Sequence, residues 1–148
     1  MDSRREVLNH LLVELFNQIL SIEEKALKIG DFSDLTLNEL HVIDATGYDQ
    51  TSPMTHIATK LGVTVGTLTI AMNNLVKKGY INRVRSDEDR RVVLITLTDK
   101  GRLAYRHHSQ FHEDMINFTI DALDESEGDV LIKSLTKIIN YFDQKYLG

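Results

Sequence analysis

Four arginines lie close together in the middle of the sequence, at Arg83, Arg85, Arg90 and Arg91. A guanidinium group donates a planar fork of hydrogen bonds that fits phosphate oxygens, and it also fits the narrow minor groove of A·T-rich DNA. Asp89 stands two residues before Arg91, a spacing that allows its carboxylate to hold the guanidinium extended. Solvated turns often carry the same residue types, so the cluster indicates a polyanion-binding turn only together with its surroundings.

A second candidate surface is the outer face of a predicted helix that begins after Thr64. At about 100° per residue, Leu68, Met72 and Leu75 fall on one side of this helix and are expected in the core. The opposite side is small, polar and uncharged, and it consists of Gly66, Thr67, Ile70, Asn73 and Asn74. Asn pairs with an adenine edge and Thr contacts a thymine methyl, so this face predicts A·T-rich DNA. The alternative is an ordinary solvated helix face.

Between residues 52 and 98 the chain runs through a short helix, a turn with Gly62, a second helix and the basic hairpin. This is the order of a winged helix-turn-helix, in which the second helix enters the major groove and the hairpin wing reaches the backbone or the minor groove. The predicted DNA-contacting residues are Ser52, Thr64, Gly66, Thr67, Thr69, Asn73, Asn74, Arg83, Arg85, Arg90 and Arg91.

The histidines are candidate metal ligands. His108 and His112 stand one helical turn apart, a spacing that chelates zinc, and Glu39 and His41 lie near one face of the second helix. His108 also falls on the apolar stripe of its helix, where a hydrogen-bonded core histidine is the commoner case. The sequence therefore predicts no metal and keeps these four residues as the alternative, a zinc-responsive regulator.

Enzyme chemistry has no support in the sequence. The chain has no cysteine, which excludes a disulfide scaffold, a thiolate zinc finger and a cysteine nucleophile. It has no glycine-rich phosphate loop, nucleophile elbow or HExxH motif. We expect neither catalysis nor a cofactor, and the remote alternative is a winged helix that binds protein instead of DNA.

The elements that would position these residues are six helices and one hairpin. A capping box at Thr36 and caps at Thr64, Thr98 and Asp124 mark helix starts, and Ser52 with Pro53 marks another. The predicted helices cover residues 4–28, 36–47, 53–61, 64–78 and two stretches that begin at 98 and 124, and the predicted strands cover 80–86 and 92–97.

The first and the last two helices have apolar stripes broader than one small winged domain can cover. We therefore expect a mainly α fold with a small β-hairpin wing, assembled as an intertwined homodimer. Residues 1–148 form a single domain in this prediction. Within it, residues 1–30 and 107–148 form the helical dimerisation region, and residues 36–106 form the winged helix-turn-helix.

Composition agrees with one globular domain, since 42% of the 148 residues are hydrophobic and 26% are charged. The net charge is −5, but residues 53–106 hold ten basic and four acidic side chains, a net of +6. A basic middle between acidic ends favours a single polyanion-binding segment. No apolar run approaches the roughly 18 residues that span a bilayer, and the first residues lack the apolar core of a signal peptide. We expect a cytoplasmic protein with no membrane partner.

Several stretches resemble the MarR (multiple antibiotic resistance regulator) family of dimeric winged-helix repressors. The matching residues are 61–64, 75–80, 89–91 and 97–98. A narrower similarity, to the fatty-acid-synthesis repressors of that family, covers about half of the chain. It is carried by residues 39–44, 66–69, 73–75, 79–86, 89–93, 101–103, 108 and 111–112.

This resemblance implies repression of fatty-acid synthesis genes at a palindromic operator, with long-chain acyl-acyl carrier protein as corepressor. The acyl chain would need an apolar tunnel, for which the candidate lining residues are Leu12, Phe16, Leu20, Phe111 and Met115. The acidic carrier would need basic contacts, for which the candidates are Lys25, Lys28, Arg102 and Arg106. A related zinc sensor of the family places its metal ligands on the same helices, but its site includes a cysteine that this chain lacks.

Overall fold

The computed structural model describes residues 2–148, which form two compact units, residues 2–111 and residues 112–148. The helices are α1 (Ser3–Lys28), α2 (Leu37–Thr46), α3 (Met54–Leu61), α4 (Val65–Lys78), α5 (Asp99–Ala122) and α6 (Glu125–Phe142). The strands are β1 (Ser52–Pro53), β2 (Ile81–Arg85) and β3 (Val93–Leu97), and a π-helical turn covers Asp143–Leu147. The boundary between the units lies within α5. The six predicted helices and the hairpin are confirmed.

The helix starts follow local hydrogen bonding. Thr36 caps α2 and Asp124 caps α6, each in a capping box with the glutamate three residues on. Thr64 accepts the Thr67 N–H at the start of α4, and Thr98 accepts the Gly101 N–H at the start of α5. These four starts match the predicted ones because a cap is a short-range property of the sequence.

The start of α3 differs from the prediction. Pro53 is the residue before the helix, and the Ser52 side chain does not cap it. Instead, Ser52 and Pro53 form β1, which pairs antiparallel with β3 through Ser52 and Ile95. β3 therefore lies in the centre of a three-stranded sheet of order β1-β3-β2. Two residues are too short to show a strand period, and a proline without an N–H is acceptable at an edge.

The core of the first unit packs α2, α3 and α4 against the sheet. α4 contributes Leu68, Met72 and Leu75, all buried, as its predicted inner face. The other fully buried side chains at the centre include Ile43, Ile57, Tyr80 and Ile95. The outer face of α4 is thereby fixed toward solvent by the packing of its inner face.

A junction of four residues joins the end of α4, the hairpin and the start of α5. Gly79 ends α4 with a φ of 86°, a left-handed conformation that favours glycine. Thr98 donates its N–H to the Tyr80 carbonyl at 3.0 Å and its hydroxyl to the Gly79 carbonyl at 2.6 Å. A Cβ on Gly101 would overlap the Tyr80 carbonyl oxygen. We call Gly79, Tyr80, Thr98 and Gly101 the Tyr80 junction.

The Tyr80 side chain ties this junction to the loop before α2. Its hydroxyl donates to Asp34 Oδ1 at 2.6 Å, and burial together with that hydrogen bond raises the pKa of the phenol well above its usual value. Lys78 Nζ donates to the Asp34 carbonyl at 2.6 Å and to Glu39 Oε1 at 2.7 Å. The cation at the end of α4 therefore meets the buried carboxylate of α2.

Apolar side chains remain exposed on helices of both units, among them α1, α5 and α6. On α1 they are Val7, Leu8, Leu11, Leu12, Val13, Leu15, Phe16 and Ile22. α6, in the second unit, contributes no buried residue within the described chain, although Ile132, Leu135 and Ile139 lie on it. Between residues 2 and 148, no helix combines the length and the hydropathy needed to traverse a bilayer.

The close approach at Gly101 generates a stability prediction. Gly101→Ala should lower the free energy of unfolding by about 1–3 kcal/mol, because the new methyl group displaces the Tyr80 backbone. Gly128→Ala in α6 is the matched control, since its Cβ would meet no atom within 4 Å. That substitution should stabilise the helix by up to about 1 kcal/mol. Urea unfolding at one fixed protein concentration measures both, and equal stability of the two variants would contradict the close packing at Gly101.

Candidate nucleic-acid interface

The outer face of α4 is exposed as the sequence predicts. Gly66, Thr67, Asn73 and Asn74 face solvent, and 69% of Ile70 is exposed. A Cβ on Gly66 would meet only the Thr64 hydroxyl oxygen, at 3.9 Å, so the protein's own packing does not require a glycine there. The absence of a side chain leaves room for another molecule to approach the backbone closely.

The threonines of this face use part of their hydrogen-bonding capacity within the helix. The Thr64 hydroxyl accepts from the Thr67 N–H at 3.1 Å and donates to the Thr67 hydroxyl at 3.0 Å. The Thr69 hydroxyl donates to the Val65 carbonyl at 2.8 Å. Thr67 therefore keeps its hydroxyl proton for an outside acceptor, whereas Thr69 presents its methyl group and an acceptor.

On the wing, the exposed guanidinium of Arg91 is hydrogen-bonded to the carboxylate of Asp89. Arg91 donates to both carboxylate oxygens of Asp89, through Nε and Nη2 at 3.0 Å each, and 90% of its side chain remains exposed. The hydrogen bonds from Arg91 lower the pKa of the Asp89 carboxyl, and the same contact raises the pKa of Arg91. Asp89 thus holds Arg91 in one geometry, as its spacing in the sequence predicts.

Two of the other wing arginines, Arg83 and Arg85, donate hydrogen bonds to atoms of α4 and of the wing. Arg85 Nη1 donates to the Arg90 carbonyl at 2.9 Å, and Arg83 Nη1 donates to Asn73 Oδ1 on α4 at 2.6 Å. Arg83, Arg85, Arg91 and Thr69 line one cleft of about 440 Å³ between α4 and the wing. The structure therefore brings the predicted helix face and the predicted wing together as one surface, which we call the reading surface.

Ser52 does not belong to the reading surface. It is buried, and its hydroxyl donates to the Thr46 carbonyl at 3.0 Å. Ser52 is therefore not available for the predicted contact with DNA, because the pairing of β1 with β3 buries it. All the other predicted DNA-contacting residues lie on α4 or its cap, or on the wing.

Three candidate metal ligands meet in the first unit. Glu23 Oε1 lies 3.0 Å from His41 Nε2 and 3.5 Å from His108 Nδ1, and the three ligand atoms lie within 4.8 Å of one another. Glu23 and His108 are buried, and His41 is half-buried. One carboxylate oxygen and two imidazole nitrogens are a donor set that suits zinc.

The cluster differs from the predicted set. Glu39 is not part of it, because its Oε1 accepts from the Thr36 N–H and from Lys78. His112 lies one helical turn beyond His108, in the second unit. Glu23 was missed because it stands 18 residues before His41. The sequence does contain one indication of this role, because Glu23 is an acid on the apolar face of α1, four residues from both Ile19 and Leu27.

The predicted tunnel residues are only partly enclosed. Leu12 is 47% and Phe16 is 63% exposed on α1, while Leu20 and Phe111 are half-buried in the same unit. Met115 is half-buried and lies in the second unit. Among the predicted carrier contacts, Arg102 donates to Asp99 and to the Tyr48 carbonyl, and the Arg106 guanidinium lies 4.8 Å from the centre of the Tyr48 ring.

Comparisons with known proteins agree with this geometry. The family model described as "Transcriptional regulator SarA/Rot" matches residues 26–107. The crystal structure of Streptococcus pneumoniae FabT in complex with DNA is similar to this chain, with 41% identity and a TM-score of 0.90. That match covers 95% of this chain and 98% of FabT.

Two regulators are also similar in sequence. SarZ of Staphylococcus haemolyticus is 32% identical over 74% of this chain and 74% of its own length. YhjH of Bacillus subtilis is 28% identical over 67% of this chain, and the match spans 58% of YhjH, a little over half of its length. These relatives are transcriptional regulators, which confirms that the chain is not an enzyme. The chain belongs to the SarA/Rot family of MarR-like, winged-helix, DNA-binding transcriptional regulators.

Proposed function

We propose that the chain represses transcription by binding a palindromic, A·T-rich operator as a homodimer. The observation that carries this proposal is the reading surface, in which the uncharged face of α4 adjoins three wing arginines, Arg83, Arg85 and Arg91. Thr67, Asn73 and Asn74 would face base edges in the major groove, and Arg91 would bind a phosphate or enter the minor groove. A DNA partner would place the protein in the cytoplasm.

The exposed apolar side chains of α1 and α6 support the homodimer. Each helix carries a row of exposed apolar side chains, and such rows are typical of interfaces. Because two-fold readers bind half-sites about one helical turn apart, a second copy of this chain is the partner that suits a palindrome.

The similarity to FabT supports fatty-acid synthesis genes as the target and long-chain acyl-acyl carrier protein as the corepressor. Leu12 and Phe16 are exposed in one chain, so the tunnel for the acyl chain would be completed by the second copy. Each buried methylene contributes about 0.8 kcal/mol, so longer acyl chains would bind more tightly. Lys25 and Lys28 are exposed near the end of α1 and would meet the acidic carrier.

A zinc-responsive regulator is the second candidate function. Its support is the cluster of Glu23, His41 and His108, whose ligand atoms already lie close enough to share one ion. The cluster joins α1, α2 and α5, so an ion there would change how these helices pack. Glu23 and His41 already form a hydrogen bond of 3.0 Å with each other, and a purely structural role for this contact is the alternative to a metal.

Removal of one wing arginine tests the DNA-binding role. Arg91→Ala should weaken operator binding and lower the slope of log affinity against log salt by about one unit, because one phosphate contact is lost. Lys145→Ala is the matched control, since Lys145 is an exposed cation in the second unit. It should leave both quantities unchanged.

Fluorescence anisotropy on an operator duplex at several salt concentrations measures both variants. Sedimentation equilibrium of the same complex should count two chains per palindrome. Wild-type affinity of Arg91→Ala at physiological salt would contradict the role of the wing.

Titration of effectors distinguishes the two regulatory candidates. Long-chain acyl-acyl carrier protein should tighten operator binding, increasingly with chain length, while the unacylated carrier and zinc should have no effect. The measurement is a mobility shift on the wild type, His108→Ala and the exposed control His10→Ala. If zinc alone tightens binding, and only His108→Ala abolishes the response, the zinc function replaces the acyl function.

A further inference from the structure

The two neighbouring asparagines on the outer face of α4 are not chemically equivalent. Asn73 Oδ1 accepts a hydrogen bond of 2.6 Å from Arg83 Nη1 on the wing. Asn74 makes no side-chain hydrogen bond to any residue between 2 and 148, and both amides are exposed. One amide is therefore held by the wing and the other is free to rotate.

The backbone that carries Arg83 is fixed. Arg83 is the middle residue of β2 and is paired with Ile95 of the central strand, which is fully buried. Asn73 follows the buried Met72 on a helix that is fixed by the core. The backbone at both ends of the hydrogen bond is thus held before any ligand arrives, so the two side chains start from positions that the fold, and not a loop, provides.

This contact changes what Asn73 offers to a base. An asparagine reads adenine through two bonds, accepting from N6 with its carbonyl oxygen and donating to N7 with its amide nitrogen. In Asn73 the carbonyl oxygen meets a guanidinium, and an adenine amino group placed beside it would face a cation. The carbonyl oxygen keeps a second lone pair, but the neighbouring guanidinium disfavours a base amino group there. The amide nitrogen is therefore the favoured group for the base, and it donates to acceptors such as thymine O4 and guanine O6 or N7.

We infer that Arg83 is a specificity-determining positioning residue, which makes Asn73 read bases mainly as a donor while Asn74 keeps the bidentate chemistry for adenine. This inference rests on the proposed binding of DNA by the outer face of α4. It assigns different base preferences to adjacent residues of the same type. It also gives Arg83 a role beyond the neutralisation of a phosphate.

The test is selection from a randomised duplex library, with sequencing of the bound fraction, so that no operator has to be assumed. Arg83→Ala frees the Asn73 carbonyl oxygen and should raise the preference for adenine at one base pair of each half-site by roughly five- to hundredfold. Arg83→Lys keeps a cationic donor and should retain the wild-type preference. Arg85→Ala is the matched control, since Arg85 contacts the Arg90 carbonyl and not α4. It should weaken binding to all sequences alike.

Two further variants test whether the change in adenine preference depends on the Asn73 carboxamide. In the Arg83→Ala background, Asn73→Ala should abolish the gained adenine preference, because no carboxamide remains to be released. Asn73→Asp keeps an acceptor for Arg83 but has no donor, so it should lose the preference for base acceptors at the same pair. This second variant gives a result even if Arg83→Ala does not fold.

The outcomes separate the inference from the function on which it rests. If the wild type selects no sequence and binds no duplex, the proposed function fails and the inference fails with it. If the wild type selects a palindrome but Arg83→Ala only weakens binding uniformly, the function stands and the role of Arg83 is overturned. A loss of the wild-type preference in Arg83→Lys would also overturn it.

Discussion

The hydrogen bonds from Thr98 to Gly79 and Tyr80 are the interaction on which the first unit depends. They join the end of α4 to the start of α5 across the base of the hairpin. Two more contacts stabilise this junction. Gly101 packs on the Tyr80 carbonyl, and the Tyr80 hydroxyl donates a hydrogen bond to Asp34. Since Tyr80 and Gly101 are buried in the first unit, the angle between α4 and the wing is set where the hairpin begins and ends and not by the loop at residues 86–92.

As a consequence, several polar groups of the reading surface already hydrogen-bond to other protein groups before DNA is present. Asp89 holds Arg91, Arg83 holds Asn73, and the Thr64 hydroxyl holds Thr67. Preorganisation of this kind lowers the entropy lost on binding and restricts which base edge each side chain can satisfy. Selectivity on this face therefore comes as much from hydrogen bonds made inside the protein as from the residue types exposed on α4.

Local features of this chain could be predicted from its sequence, whereas contacts between distant segments could not. The caps at Thr36, Thr64 and Asp124 and the inner face of α4 follow from spacings of three or four residues. The burial of Ser52, the bond between Arg83 and Asn73, and the meeting of Glu23 with His41 each depend on the tertiary fold. Glu39 illustrates the difference, because its capping box was predictable but its ion pair with Lys78 joins residues 39 positions apart.

Native-state amide hydrogen exchange of the wild type tests most directly whether α4 and the wing are held as one body. The Thr98 amide donates to the Tyr80 carbonyl, and the Tyr80 amide donates to the Leu75 carbonyl. If α4 and the wing are held as one body, both amides exchange with the same free energy of opening as the amide of Met72 in the buried part of α4. Exchange of Thr98 through a local opening that costs roughly 2 kcal/mol less than that of Met72 would contradict it, because the wing would then open independently of α4.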